Sequence, residues 1–254
     1  MRIVSYNILD GGGRRAGGIG DVIESQRPDV VCLVEAEDAA VVEGLASRLG
    51  MDFVHAPGNS HASALLSRWT IRDSINHALL QPAISKSLLE ATVIDPAGRE
   101  WVFGVLHLHA HATEADERRR EEEIDVVLRV FAPHRDAGRP HFLCGDFNAN
   151  SPVQQIDPAR CKPRTRKEWE QNGGQVPRRV VQRLLDAGYV DSLHAVYPRE
   201  AQTTGSFTTE YPGQRVDYVF TFGIEPDRIK SAWVHQVNPA AEASDHFPAG
   251  AEIL

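Results

Sequence analysis

The sequence predicts an α/β fold in which strands pair antiparallel as well as parallel, and three observations carry that prediction. Short apolar runs alternate with amphipathic helical stretches along the whole chain. Two β-rich runs, 87–95 and 100–106, are joined by Asp95-Pro96-Ala97-Gly98, residues that suit a tight turn, so they read as a hairpin. No internal repeat, low-complexity segment or interdomain linker breaks the pattern, so residues 1–254 are expected to form a single domain.

The elements follow in order. Residues 2–6 form the first strand, glycine-rich 11–20 a loop, and 21–26 a helical turn stopped at Arg27-Pro28. A buried strand over 29–34 precedes a helix over 38–49 that Gly50 ends. Further strands centre on Phe53, Ala64 and Ile71, ahead of the hairpin. Thr113-Glu114-Ala115-Asp116 resembles a capping box, with Asp in place of Glu. It opens a long helix whose apolar face includes Ile124, Val127, Leu128 and Phe131. The run Arg118 to Glu123 in that helix reads as a solvated face. Residues 141–145 form a strand. Val180, Val181, Leu184 and Leu185 recur at helical spacing, and 216–222 and 229–237 are late strands.

At 42% hydrophobic and 24% charged residues, the composition supports a substantial core and excludes disordered, collagen-like and coiled-coil classes. No window approaches a membrane span, and Met1-Arg2 leads directly into a strand, so a soluble, cytoplasmic protein is expected. Cys32, Cys144 and Cys161 are odd in number and lack metal-type spacing, which predicts buried reduced thiols. Thirty-five acidic against 27 basic residues leave a net charge of −8, so any nucleic-acid surface must be a local patch. One basic segment stands out: residues 157–183 hold eight basic and three acidic residues. It reads either as a solvated loop or as a phosphate-binding arm that includes Arg164, Arg166 and Lys167.

Several strands end in a side chain able to bind metal or move a proton. Tyr6 leads to Asn7, Val34 to Glu35, Leu106 to His107, and Gly145 to Asp146 with Asn148 two positions on. Asp217 lies within Arg215-Val216-Asp217-Tyr218, and Ser244-Asp245-His246-Phe247 comes last. Strand ends are where loops gather functional groups on a rigid scaffold. The oxygens of Asn, Asp and Glu are hard ligands suited to Mg²⁺ or Mn²⁺. His107, His109 and His111 would share one face of an extended segment, and Asp146 and Asn148 would likewise project together. The latter pair could instead make an Asx-type turn. Asp217 interrupts an apolar strand and needs a partner, for which His246 is the natural candidate.

These residues resemble the endonuclease/exonuclease/phosphatase superfamily of metal-dependent phosphoesterases. The similarity rests on Ser5-Tyr6-Asn7, the run Pro28 to Glu35, His107-Leu108, Gly145-Asp146-Phe147-Asn148-Ala149, Arg215 to Phe220 and Ser244-Asp245-His246-Phe247-Pro248, in the family's order. Two positions depart from the pattern: Val34 stands where members commonly have Gln, and Leu9 where some have a carboxylate. Glu37 is a nearby competitor for the ligand role of Glu35. The resemblance implies a four-layer α/β/β/α sandwich of two packed mixed sheets with the site at one end. It implies that Asn7, Glu35 and Asp245 hold Mg²⁺ or Mn²⁺, and that Asp146 and Asn148 position the water and the phosphate. His246, oriented by Asp217, would take a proton or stabilise the anion, and His107 would serve the leaving oxygen. The implied activity is phosphodiester hydrolysis with nucleic acid as substrate. Small phosphoesters or phospholipid headgroups form a second substrate class, and a noncatalytic binding module is a third reading.

Overall fold

The computed structural model describes residues 1–254. Its first sheet contains β1 (Arg2–Asn7), β2 (Val30–Val34), β3 (Asp52–Ala56) and β4 (Ser63–Ser67). The second contains β5 (Thr70–Asn76), β6 (Ser87–Ile94), β7 (Glu100–His107), β8 (His141–Asp146), β9 (Val190–Asp191) and β10 (Asp217–Phe222). The chain then returns to the first sheet through β11 (Ile229–Val234) and β12 (Ala249–Ile253). Strand orders are β11-β12-β1-β2-β4-β3 and β5-β6-β7-β8-β10-β9. Both sheets are mixed, with β1–β2 and β7–β8 parallel and the other pairs antiparallel.

Helices α1 (Ala16–Ser25) and α2 (Ala39–Leu49) cover the first sheet. On the second lie α3 (Glu114–Val130) and, after the short α4 (Ala132–Asp136) and α5 (Pro163–Gln171), α6 (Arg179–Asp186). Period-two alternation sorts the strand residues between layers. Ile3, Val30, Cys32 and Val34 meet Phe103, Val105, Phe142, Cys144 and Val219 between the sheets. The alternate residues Val4, Tyr6, Val31 and Leu33 pack on Ile19, Ile23, Val42 and Leu45. Leu106, Leu143 and Phe220 pack on Ile124, Val127 and Val180. This is the four-layer α/β/β/α sandwich, and each large apolar side chain buried in it contributes about 1.5–3 kcal/mol.

Local chemistry sets the boundaries. Asp38 caps α2 by accepting from the amides of Ala40 and Val41, and Gly50 ends it at φ 62°. Thr113 and Asp116 form the reciprocal capping box of α3. In the β6–β7 hairpin, Asp95 accepts from the amides of Ala97 and Arg99, and Gly98 turns at φ 79°. The three cysteines are buried and unpaired. No helix is long and apolar enough to cross a membrane.

Four expectations need correction. Helix α1 begins at Ala16, inside the glycine-rich segment, because Gly20 lets the Arg48 guanidinium lie against it and bind Gly17 O, Asp21 and Glu24. The last predicted strand stops at Val234, and β12 and α5 were not expected at all. The charged run of α3 is not wholly solvated. Arg120 is buried against Glu117 and the carbonyls of His109 and His111, and Glu123 is buried beneath Ser85 and His109. His109 and His111 do not extend the line of His107, because β7 ends there. His109 pairs with Asp116, and His111 turns at φ 72° toward Glu168.

Candidate active site

The alternation that builds the inter-sheet core also builds the site. Asn7 continues the inward face of Ile3 and Ser5, His107 that of Phe103 and Val105, and Asp146 that of Phe142 and Cys144. Asp146 is paired in register with His107 on one side and Asp217 on the other. At this end of the sandwich the apolar core therefore gives way to a row of buried polar side chains.

Asp146 and His246 occupy the centre. His246 Nδ1 donates to Asp217 Oδ2 at 2.8 Å, and its Nε2 lies 3.7 Å from Asp146 Oδ2. Burial works against charge on this ring, yet Asp217 and Asp146 push its pKa up to about 10, so it is an imidazolium at neutral pH. Burial pushes Asp217 up to about 6 against the pull of His246. Asp146 is held well below the usual carboxylate range, where His246, His107 and Lys86 together overcome its burial. The Phe207 ring packs against His246 with centroids 4.6 Å apart.

Asn148 sits at φ 48°, its amide donating to Asp146 Oδ1 at 2.8 Å and its Nδ2 to Leu108 O at 3.1 Å. The chain here makes the Asx-type turn instead of staying extended. Such left-handed non-glycine residues cost about 1–2 kcal/mol and persist where their surroundings fix them. Glu35 is another, at φ 54°, which swings its carboxylate into the site directly after β2. Its Oε1 accepts from Asn7 Nδ2 at 3.0 Å and its Oε2 from the Asp10 amide at 3.0 Å. Glu37, by contrast, pairs with His61 at 2.8 Å on the rim.

Two groups in the site carry no motif. Lys86, 9% exposed, directs its ammonium to His107 Nε2 at 2.5 Å, and His61 lies with its ring centroid 5.1 Å from that of His107. His107 is itself 3.3 Å from Asp146 and 3.9 Å from Glu35. Burial, then Lys86, lowers its pKa, against the pull of Asp146 and Glu35.

The donor set fits a divalent ion in part. Asp245 Oδ1 is buried and accepts no hydrogen bond, and Glu35 is ionised, its burial outweighed by His107, the Asp10 amide and Asn7. Both are hard oxygen ligands. Asn7 Oδ1 accepts from the Leu9 amide, and its Nδ2 donates to Glu35 and Asp146.

Beside Asn148 lies a cavity of about 160 Å³ whose walls include Lys162, Arg164, Thr165, Trp169, Phe207 and Gln214. Of the three basic residues singled out in the sequence, Arg164 lines this cavity, paired with Glu168, while Arg166 and Lys167 lie outside it. Much of the remaining basic charge is neutralised within the fold. Arg179 and Arg183 bind Glu114, Glu121 and Asp125 of α3, and Arg178 binds Ser151 O.

The chain is similar to several known proteins. A DNA-(apurinic or apyrimidinic site) endonuclease of Dictyostelium discoideum is 23% identical over 265 aligned residues, covering 100% of this chain and 70% of that protein. The DNA repair nuclease APEX1 of Danio rerio is 31% identical over 133 residues, covering 49% of this chain and 39% of its own length. An AP endonuclease from Archaeoglobus fulgidus superposes with a TM-score of 0.74 at 18% identity, covering 100% of this chain and 99% of that one. The 3'-5' exonuclease NExo from Neisseria meningitidis superposes with a TM-score of 0.75 at 21% identity, with the same coverage. The sequence pattern of the Endonuclease/Exonuclease/phosphatase family matches residues 4–246, and this chain belongs to that family.

Proposed function

We propose that this chain is a divalent-metal-dependent phosphodiester hydrolase acting on nucleic acid, with Mg²⁺ or Mn²⁺ as cofactor. One observation carries the reading: buried Asp146 and His246 face each other 3.7 Å apart, with Asn148 beside them, at the end of an apolar core. The relatives named for action on DNA support nucleic acid as the substrate.

Glu35 and Asp245 would hold the ion, which when bound supplies positive charge to the phosphate and organises in-line geometry. Asn7 would tie Glu35 to Asp146 through its amide N–H groups. Asp146 and Asn148 orient a water molecule, and Asp146 takes its proton as the new P–O bond forms. The imidazolium of His246, oriented by Asp217, meets the charge on the phosphoryl oxygens. The bond from phosphorus to the departing oxygen breaks, and that oxygen leaves protonated from solvent. A positioned acid or base is worth typically ~10²–10⁴-fold in such a reaction.

The net charge of −8 and the small cavity beside Asn148 favour a second reading, in which the substrate is a small phosphoester. A panel of single- and double-stranded DNA, RNA, an aryl diester, an aryl monoester and a phospholipid decides between them. Hydrolysis of only the monoester or the phospholipid overturns the nucleic-acid reading, and no hydrolysis of any member leaves the binding module.

A further inference from the structure

Lys86 is a buried lysine without a carboxylate partner: no acidic oxygen lies within 4.0 Å of its Nζ, whose one close neighbour is His107 Nε2, and burial lowers its pKa against the pull of Asp146, Glu35 and Glu123. Burying an unpaired charge costs several kcal/mol, so such a group persists where the surroundings force it there. Here they do. The Asn59 amide donates to the Lys86 carbonyl at 2.7 Å, and the preceding Ser85 is fastened by its amide and hydroxyl to buried Glu123. The backbone on both sides of the side chain is thereby fixed, and its Nζ is aimed at His107.

An ammonium only donates, so His107 Nε2 must accept, which places the ring's proton on Nδ1. That nitrogen is buried without a partner. The nitrogen of His107 that faces Asp146 and Glu35 is then not a proton donor, and the acid role expected for His107 has no proton to give. Ligand atoms of Glu35, His61 and His107 lie within 4.8 Å of one another, but the Lys86 ammonium already brings positive charge to the His107 nitrogen of that group. Lys86, His107, Asp146 and His246 form a row with successive contacts of 2.5, 3.3 and 3.7 Å. With water placed by Asp146 and Asn148, in-line displacement puts the departing oxygen across the phosphorus from it, away from Asn148.

We propose that Lys86 is a catalytic residue: its ammonium contacts the departing oxygen and stabilises the charge that develops there, while holding His107 as the neutral Nδ1–H tautomer. The inference rests on the phosphodiesterase reading above. It assigns no proton transfer to Lys86. The P–O bond breaks toward an oxygen whose negative charge is met by the ammonium, and solvent supplies the proton after departure.

The test uses the full chain with Mg²⁺ and two diesters, DNA with its alkoxide leaving group and bis(4-nitrophenyl) phosphate, whose leaving group carries its charge without help. Lys86→Met is expected to lower kcat on DNA by about 100-fold and on the aryl diester by less than tenfold. Lys86→Arg, which keeps the charge, is expected to recover part of the loss on DNA. Equal losses on both substrates in a folded variant, or no loss on either, overturn the proposal. Nitrogen NMR of the His107 ring is independent of turnover: the wild-type protein is expected to show a proton on Nδ1, and a proton on Nε2 overturns the proposal. A wild-type protein that hydrolyses neither diester overturns the phosphodiesterase reading and, with it, this one, whereas wild-type turnover with an unaffected Lys86→Met variant overturns this one alone.

Discussion

His246 and Asp217 form a buried ion pair, 2.8 Å between Nδ1 and Oδ2, although they lie 29 residues apart, Asp217 at the start of β10 and His246 in the loop before β12. Asp217 alone would be a carboxylate stranded in an apolar strand, and His246 alone would lose its charge to burial. Each maintains the other's ionised form, so the two are expected to fail as a unit. His246→Ala and Asp217→Asn should each lower kcat by roughly 10²–10⁴-fold, and the double variant should be little worse than either single. Losses that multiply in steady-state kinetics would break the pair.

Metal dependence separates two neighbouring acids. Glu35 reaches Asn7 and the Asp10 amide inside the site, while Glu37 is spent on His61 at the rim. EDTA should abolish hydrolysis and Mg²⁺ or Mn²⁺ restore it. Glu35→Gln should need far more metal for the same rate, and Glu37→Gln should titrate like the wild type. Metal titration of initial rates checks both, and the reverse ranking would reassign the ligand.

Much of this site was legible because side-chain alternation and burial are written in the strands. Asn7, His107 and Asp146 each stand two residues beyond an inward-facing position, so their shared face follows once the strands are placed. Lys86 was missed because a lone lysine between serines, just ahead of a strand, is indistinguishable from a solvated one. Only the tertiary contacts of Asn59 and Glu123 bury it. Helix α5 was missed because Pro163 and five nearby basic residues read as loop, whereas buried Trp169 and Thr165 anchor it. Strand β12, Ala249–Ile253, has few β-branched residues and is held by its neighbours β1 and β11.

Acid sensitivity should come in two windows. His141 is buried against Tyr189, and burial lowers its pKa to about 4. The unfolded chain binds a proton at this ring from about pH 6.5 downward, so stability should decline between pH 6.5 and 4. Asp95 runs the other way. Burial opposes its ionisation, but Trp101 and the Arg99 and Ala97 amides lower its pKa to about 2. Its contribution is complete above the unfolded value near 3.9 and is lost as pH falls through 2. In urea melts across pH 2–7, Asp95→Asn should remove the lower window and leave the upper one. A variant whose loss persists unchanged at pH 2 would show that Asp95 acts through shape alone.

Substrate contacts outside the reacting phosphate should come from the cavity wall, which narrows the basic segment to Lys162 and Arg164. Lys162 also lies 5.4 Å from the Phe207 ring that packs on His246, so this wall adjoins the reacting centre. Arg179 and Arg183 are already paired with α3, and Arg166 and Lys167 lie away from the cavity. Each phosphate contact on duplex DNA contributes about −0.9 to the slope of log affinity against log salt. Replacing Lys162 and Arg164 with Ala should therefore weaken DNA binding and flatten its salt dependence by up to about two such contacts. The Arg166 and Lys167 pair should change it little. Hydrolysis of a small aryl diester should be nearly unaffected by either pair, because Asp146, Asn148 and Glu35 are untouched. Equal loss on both substrates would mean that α5 supports the site itself, and no loss on DNA would make the segment a solvated surface.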